Sequence, residues 1–439
     1  MIKLIFALTL SVLTFTSLAQ QLPDPSVPDW SKGATLGSGS GRFTNQHRAN
    51  VFRLPEADYL AAVKRGRRHS FSYPVEITAL GIPYRAFMEF FDRDNTDPFR
   101  RWLNTMAQRT VGMESPQAVM RWLGIHEFHS VEDETLRPEE VNLGMGATVF
   151  ERDGAEVLTF SCSTCHSGEL FGKNVVGLTN RFMKPYEFFN AGIKLLPHAN
   201  PLLFQLYTQS TVAERKILEK AREAIPFVGA RNPQNLGLDT SLSQMALSLS
   251  RRAQDEYASR FARNARHPRP NQLNTFVADS KPSVWWNLKY KTRWLSDGSM
   301  TAGNPIHVNL LVNEIGRGAD LKELASWLNS KPGKVSDLTA GVFGNQAPEY
   351  LDFLPESTLD LSMAKRGQVH FLNNCTGCHG TYDKTWDRPE AANLPLREQV
   401  KTVDVHHHKQ TPLMDVGTDP NRHLGMQHLL KEFHHIRAY

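Results

Sequence analysis

Apolar residues recur at helical spacing over most of this chain. From Pro55 the run Pro-Glu-Ala-Asp opens a stretch in which Tyr59, Leu60 and Val63 share a face, and Gly66 reads as the cap that closes it. A second helical region is expected from about Tyr84 to Leu123. It carries Phe87, Phe90, Phe91, Phe99, Trp102, Leu103, Val119, Met120 and Trp122, an aromatic stripe of the kind that builds a core. Helix returns from Lys184 to about Ala224, interrupted at Pro197-His198-Ala199-Asn200-Pro201. Another begins at Leu361, where Ala364, Gly367, Val369 and Phe371 keep helical spacing. The last spans Leu424 to Ile436, with Leu429, Leu430, Phe433 and Ile436 as one stripe that Gly367 would let approach closely. Between the helices, Val149-Phe150 runs into an Asp153-Gly154 turn and then Leu158-Thr159-Phe160, while residues 169–178 read as loop and short strand. Residues 21–50, rich in Pro, Ser, Gly and Asn, read as an irregular arm, and His267-Pro268-Arg269-Pro270-Asn271 as a loop or boundary.

The chain of 439 residues is long enough for two or three domains. Met1 to Ala19 reads as a secretory signal: Lys3 is the positive end, Leu4 to Phe15 the apolar run, and Ser17-Leu18-Ala19 the cleavage site, so the mature protein would start near Gln20 in a periplasmic or secreted compartment. No later segment is long and apolar enough to span a membrane. A net charge of +5 is modest for this length and gives no reason to expect a nucleic-acid partner. The basic cluster Lys64-Arg65-Gly66-Arg67-Arg68-His69 reads as a solvated helix end.

The four cysteines change the picture. They fall as Cys162-Ser163-Thr164-Cys165-His166 and Cys375-Thr376-Gly377-Cys378-His379, two Cys-x-x-Cys-His motifs that use every thiol in the protein. This is the pattern of covalent haem c attachment. Two thiols one helical turn apart form thioethers to the vinyl groups, and the adjacent histidine, His166 or His379, ligates iron from one face. A disulfide framework would not place a histidine after both pairs, and a zinc site would leave the two histidines unexplained. Two haems c are therefore expected. The 24 phenylalanines and eight tryptophans suit walls packed around large flat cofactors.

Further along stand Pro282-Ser283-Val284-Trp285-Trp286-Asn287 and, downstream, Trp294-Leu295-Ser296-Asp297-Gly298. With the two haem motifs, these resemble the bacterial di-haem cytochrome c peroxidase superfamily. The approach Glu151-Arg152-Asp153-Gly154, the wide separation of the motifs and the later Val416-Gly417-Thr418-Asp419-Pro420 look more like its rubber-oxygenase branch. The resemblance covers roughly residues 140 to 422. It implies a mainly α fold of two cytochrome c-like haem domains with an N-terminal helical extension: arm and extension over 20–140, a first haem domain with an insertion over 141–359, and a second over 360–439. Relatives usually continue past the Gly-Thr-Asp-Pro segment, so a chain stopping at Tyr439 reads as a short variant or a truncated product.

The sixth ligands decide the activity, since an iron with two protein ligands carries electrons and one with an open face binds peroxide or dioxygen. For the second haem, Met414 is the first choice, as a methionine between haem loop and final helix closes the iron of small cytochromes. His406, His407 and His408 are the alternative, and Met426 and His423 follow. Peroxidases of the superfamily often place a second histidine shortly after the proximal one. Here Phe182 and Met183 stand in that place and the next histidine is His198, so an open first iron is preferred, with His198 and then Met183 as alternative ligands. In many relatives a tryptophan just before Asp-Gly relays electrons between haems. Ser296 occupies that position, leaving Trp294 and Trp286 as relay residues or as plain core. The expectation is a periplasmic oxidoreductase that takes electrons from a redox protein or small donor and passes them to a first haem, with His166 proximal, that activates peroxide or dioxygen. Glu169 is the acid nearest that haem in the chain. The rivals are a pure electron carrier with both irons six-coordinate and a non-catalytic interaction protein.

Overall fold

The computed structural model describes residues 51–406, with interruptions at 52–53, 73–75, 93, 129–141, 232–237, 240, 253–254, 256, 259–274, 276–278, 281, 291–292, 295–299 and 302–304, and beyond 406 only Pro420, Asn421, Leu424 and His428. The signal segment, the arm over 21–50, His267–Asn271, Asp297-Gly298, His407, His408, Met414, His423, Met426 and the apolar stripe of the last expected helix lie outside the described residues.

Helix α1 (Glu56–Ser72) is followed by the short strand β1 (Ile82–Pro83) and by α2 (Tyr84–Phe91), α3 (Pro98–Val111) and α4 (Pro116–Leu123). The last two are sharply bounded. Asp97 and Ser115 accept hydrogen bonds from the first-turn amides, a proline follows each cap, and Gly112 and Gly124 end them in left-handed conformation. Strands β2 (Asn142–Gly144), β3 (Ala147–Arg152) and β4 (Ala155–Phe160) then join β1 in one curled antiparallel sheet, ordered β1-β4-β3-β2.

This sheet overturns the mainly α expectation: among the described residues fifteen α-helices share the fold with the four-stranded sheet and four two-stranded ribbons, so the class is mixed α/β, not mainly α cytochrome-like domains. The physical reason lies in the Asp-Gly turn. Asp153 and Gly154 both have positive φ, 52° and 80°, the turn whose twist matches a tight hairpin. The strands escape an alternation test because both faces of β4 are covered: Val157 packs on Ile217 of α8 (Val212–Ala224), and its neighbour Leu158 on Met120 and Leu123 of α4.

The remaining order continues from the first Cys-x-x-Cys turn, α5 (Cys162–Cys165), into the hairpin β5 (Ser167–Leu170) and β6 (Lys173–Val176), then α6 (Pro185–Leu195) and α7 (Pro201–Thr208) before α8. The break expected at 197–201 is there, as a 3-10 turn between α6 and α7. Next come β7 (Leu238–Asp239), α9 (Ser241–Arg251), β8 (Asp279–Ser280), β9 (Arg293–Trp294), β10 (Met300–Thr301), α10 (Pro305–Gly316), α11 (Leu321–Ser330) and α12 (Pro332–Phe343). Helices α9 to α12 hold the largest apolar cluster, with Met245, Leu249, Leu311, Ile315, Leu324, Leu328 and Leu338 in it. The elements around the second Cys-x-x-Cys-His motif are α13 (Leu361–Asn374), α14 (Thr376–His379), β11 (Thr381–Lys384), α15 (Leu396–Gln399) and β12 (Thr402–His406).

Gly66 does not cap α1, which runs on to Ser72; it is the point where α1 crosses α12. A Cβ on Gly66 would lie 1.8 Å from the Asp337 carbonyl oxygen, and one on Gly341 would lie 2.5 Å from the Gly66 carbonyl carbon. The basic cluster is accordingly not only a solvated end: Arg65 donates two hydrogen bonds of 2.8 Å to the Asp337 carboxylate across the crossing. With α1 also against α5 and β3, the N-terminal helices and the first Cys-x-x-Cys-His motif form one body.

These crossings predict opposite outcomes for two helical glycines. Gly66→Ala should lower unfolding free energy by about 1–3 kcal/mol or more, because backbone must move to admit the methyl. Gly367→Ala, with nothing among the described residues within 4 Å of its added Cβ, should gain up to about 1 kcal/mol from helix propensity. Urea unfolding followed by circular dichroism reads both.

Candidate haem centres

The first motif is held as a single helical turn by contacts from three directions. The β2–β3 turn supplies Gly146, whose φ of +83° and bare Cα let the backbone lie on the motif: a Cβ there would sit 2.3 Å from the Thr164 nitrogen. The Gly146 carbonyl accepts from the Ser161 amide at 2.8 Å and from the Thr164 hydroxyl at 3.0 Å. From α1, the Ser70 hydroxyl donates to the Arg67 carbonyl at 2.6 Å, so the 3.0 Å contact between Ser70 and Ser163 has Ser163 as donor. From the following loop, the Asn180 amide nitrogen donates to the Thr164 and Gly124 carbonyls at 3.0 and 2.7 Å, and the Asn180 backbone N–H to the Cys165 carbonyl at 3.0 Å.

The histidine that ends the turn is oriented by a segment far away in sequence. Its Nδ1 lies 3.0 Å from the Ser283 carbonyl oxygen, which can only accept, so Nδ1 carries the ring proton and Nε2 is left as a lone-pair donor. That is the tautomer a metal-ligating imidazole needs, fixed by a backbone carbonyl in the way that second partners of metal ligands usually do it. The Ser283 segment is itself fastened beside the motif. Thr179 Oγ1 donates to the Pro282 carbonyl at 2.6 Å, the Trp285 amide to the Gly177 carbonyl at 3.0 Å, and the Gly177 amide to the His166 carbonyl at 2.8 Å. Trp285, only 3% exposed, lies with its ring centroid 5.5 Å from that of His166.

Electrostatics keep this site neutral. Burial pushes the Cys162 thiol up to about 12, with Arg317 working against it and Cys165 and Glu314 adding to it; Cys165 is raised by the same burial. His166 is pushed down to about 4 by burial, the Ser283 hydrogen bond opposing this. Cys162, Cys165 and His166 are nevertheless only half-buried, so part of each meets the surface. Cys162 borders the apolar cluster of Met145, Trp285 and Leu288, and Cys165 that of Met120, Leu158 and Met183. Two uncharged thiols, a neutral imidazole with its proton on Nδ1 and apolar surroundings fit a haem c held here.

A carboxylate that sequence spacing did not single out stands next to the site. Glu314 on α10 is 0% exposed, accepts from Arg317 at 3.1 Å, and keeps its other oxygen, Oε2, buried without a hydrogen-bond partner among the described residues. Burial raises its pKa to about 6, with Arg317 opposing. Arg317 also reaches the Phe160 carbonyl just before the motif, at 3.5 Å. A lone glutamate in an apolar helix gives no spacing signal; only the structure brings it to Cys162.

The other residues singled out fall as follows. Glu169 is exposed on β5, His198 is exposed in the turn after α6, and Met183 is 6% exposed within the cluster that Cys165 borders. Trp286 is half-buried one position beyond Trp285, and Trp294 lies in β9, paired with Met300.

The second motif has a different setting. Helix α13 leads into it as expected, N-capped by Asp360, but none of its residues is buried. Cys378 and His379 are exposed, Cys375 is half-buried, and Phe371 lies 6.5 Å from His379 and 5.6 Å from Tyr382 by ring centroids. Val369 and Leu372, 55% and 44% exposed, stand on the helix just before Cys375, an apolar approach that fits a macrocycle bound there. His406 is on β12 with its imidazole 3.2 Å from Asp383 and 3.5 Å from Asp404. No family model, curated protein or solved structure matches this chain.

The raised pKa of Glu314 predicts a pH-dependent stability difference. A group whose folded pKa of about 6 exceeds the ordinary 4.5 contributes fully below pH 4.5 and loses that contribution as pH rises through 6. Glu314→Gln cannot ionise. Between about pH 4 and pH 8 its stability relative to the wild type should improve by about 2 kcal/mol, read from urea midpoints at the two pH values.

Proposed function

We propose that this chain is a di-haem c-type cytochrome oxidoreductase, as its resemblance to the bacterial di-haem cytochrome c peroxidases implies. Electrons enter at the exposed Cys375/Cys378 centre and pass to the enclosed Cys162/Cys165 centre, where peroxide or dioxygen is reduced. The observation that carries the reading is the imidazole whose Nδ1 is taken by the Ser283 carbonyl, at the end of the Cys162–Cys165 turn; the buried carboxylate of Glu314, with one oxygen unpaired among the described residues, is near enough to Cys162 to raise its pKa.

A bound haem c supplies the redox-active iron and the conjugated path for electrons. The rest belongs to the chain. Cys162 and Cys165 anchor the macrocycle, Ser283 sets the His166 ring, and Trp285 covers its flank. Reducing one hydrogen peroxide to two waters consumes two electrons and two protons. Glu314, with a pKa near 6 and a hydrogen-bond-free Oε2, is suited to accept a proton from the entering peroxide and return it to the leaving oxygen. Arg317 holds the other carboxylate oxygen and limits the cost of ionisation.

The carrier reading has one observation in its favour. Met183 is buried in the cluster that Cys165 borders and would close the first iron if it ligates. Spectroscopy separates the two. The active reading expects a ferric high-spin component that shifts on adding cyanide or peroxide; purely low-spin spectra from both centres would sink it.

Steady-state turnover tests the proton role. With peroxide and a reduced donor, the wild-type rate should rise as pH passes about 6, and Glu314→Gln should lose about 10²–10⁴-fold of it, flatten the profile and keep both haems. An unchanged rate and profile would remove Glu314 from the chemistry.

A further inference from the structure

Strands β11 and β12 form an antiparallel ribbon that starts just after the second Cys-x-x-Cys-His motif. Its register sets Thr381 opposite His406, Tyr382 opposite Val405 and Asp383 opposite Asp404. Because side chains alternate between the faces of a strand, Tyr382 and Val405 share one side while Asp383, Asp404 and His406 share the other. The first side is the inner one, with the Tyr382 ring 5.6 Å from that of Phe371 on α13. Asp383, Asp404 and His406 are all exposed on the outer side.

That outer side holds an electrostatic conflict. Two carboxylates directly opposite each other in a ladder repel and weaken the pairing, and among the described residues neither is paired with a lysine or arginine. The nearby cations are engaged elsewhere: Lys384 with the Thr402 hydroxyl and the Trp386 ring, Lys401 with Glu398. Both carboxylates instead face one atom. His406 Nε2 lies 3.2 Å from Asp383 Oδ2 and 3.5 Å from Asp404 Oδ2, and the ligand atoms of the three residues all fall within 4.8 Å of one another. One ring N–H satisfies a single carboxylate well, whereas a metal ion in its place accepts all three donors.

The spacing and the donor chemistry agree on the kind of ion. Around zinc, with ligands about 2.0–2.2 Å from the metal, neighbouring donor atoms stand about 3.3–3.6 Å apart, close to the separations at His406. An imidazole nitrogen with two carboxylate oxygens suits a zinc-class divalent ion, while calcium and magnesium favour oxygen alone. The sequence adds a separate sign, since His407 and His408 follow His406 without a break, and short histidine tracts bind such metals. We propose that Asp383, Asp404 and His406 form a zinc-class metal site on the outer face of the β11–β12 ribbon. The ion offsets the carboxylate repulsion and ties the two strands together. It uses none of the four cysteines, and it takes His406 away from the second haem iron.

The test is equilibrium dialysis of the haem-loaded full chain, purified without a histidine tag, against zinc sulfate, with bound zinc counted by atomic absorption. The wild type should retain one tight equivalent per chain. Asp383→Asn with Asp404→Asn preserves side-chain shape and every histidine, yet should weaken that equivalent by about tenfold or more, as should His406→Ala. The altered side chains are exposed, so circular dichroism and haem content should match the wild type, and neither zinc nor His406→Ala should change the haem absorption spectrum. Equal zinc binding by the wild type and the asparagine variant would mean an adventitious ion on histidines only and would overturn the proposal. So would a wild type without a tight equivalent, or a change of haem spin state in His406→Ala, which would assign that imidazole to iron.

Discussion

The hydrogen bond from His166 Nδ1 to the Ser283 carbonyl is the constraint on which the first centre depends. It joins the loop after the Cys-x-x-Cys turn to a segment more than a hundred positions later in the chain, and it selects one imidazole tautomer out of two. The surrounding bonds make sense as the means of holding it. Gly177 stands between His166 and Trp285 and is linked to both through its amide and carbonyl. Its φ of +87° and the close approach of Asn345, 2.3 Å from where a Cβ would be, exclude a side chain there. Thr179 fixes Pro282, and so the carbonyl one residue on.

The two centres share a motif and little else. One follows the end of a β-strand and borders two apolar clusters; the other follows a helix with no buried residue. Desolvation is accordingly strong at Cys162 and His166. On the di-haem reading, the enclosed centre is the one whose surroundings can govern protons, because a low-polarity wall moves pKa values and an open one leaves them alone.

Much of the helical plan was legible. The run from Tyr84 to Leu123, the break at 197–201 and the helix before Cys375 all appear where apolar spacing and proline put them. The sheet was hidden because β4 is covered on both faces, so its side chains lack the polar-apolar alternation that marks a half-exposed strand. The Asp153-Gly154 pair was the usable signal, through the positive φ that both residues adopt. Gly66 misled for a related reason: a glycine that lets two helices touch and one that ends a helix look alike in sequence. At the site, the cysteines and histidines were plain from their spacing. Ser283 acts through its backbone and Glu314 through burial, and neither property has a sequence pattern.

The enclosure of the first motif also bears on the order in which the protein is made. Cys162 and Cys165 back onto a body formed by the N-terminal helices, the sheet and the later Pro282–Trp285 segment, which is synthesised well after them. If a porphyrin is sewn to those thiols, the sewing has to precede the closing of that later segment over His166. A maturation enzyme would then work on an open chain at the first motif but could still reach the exposed Cys378 and His379 after folding.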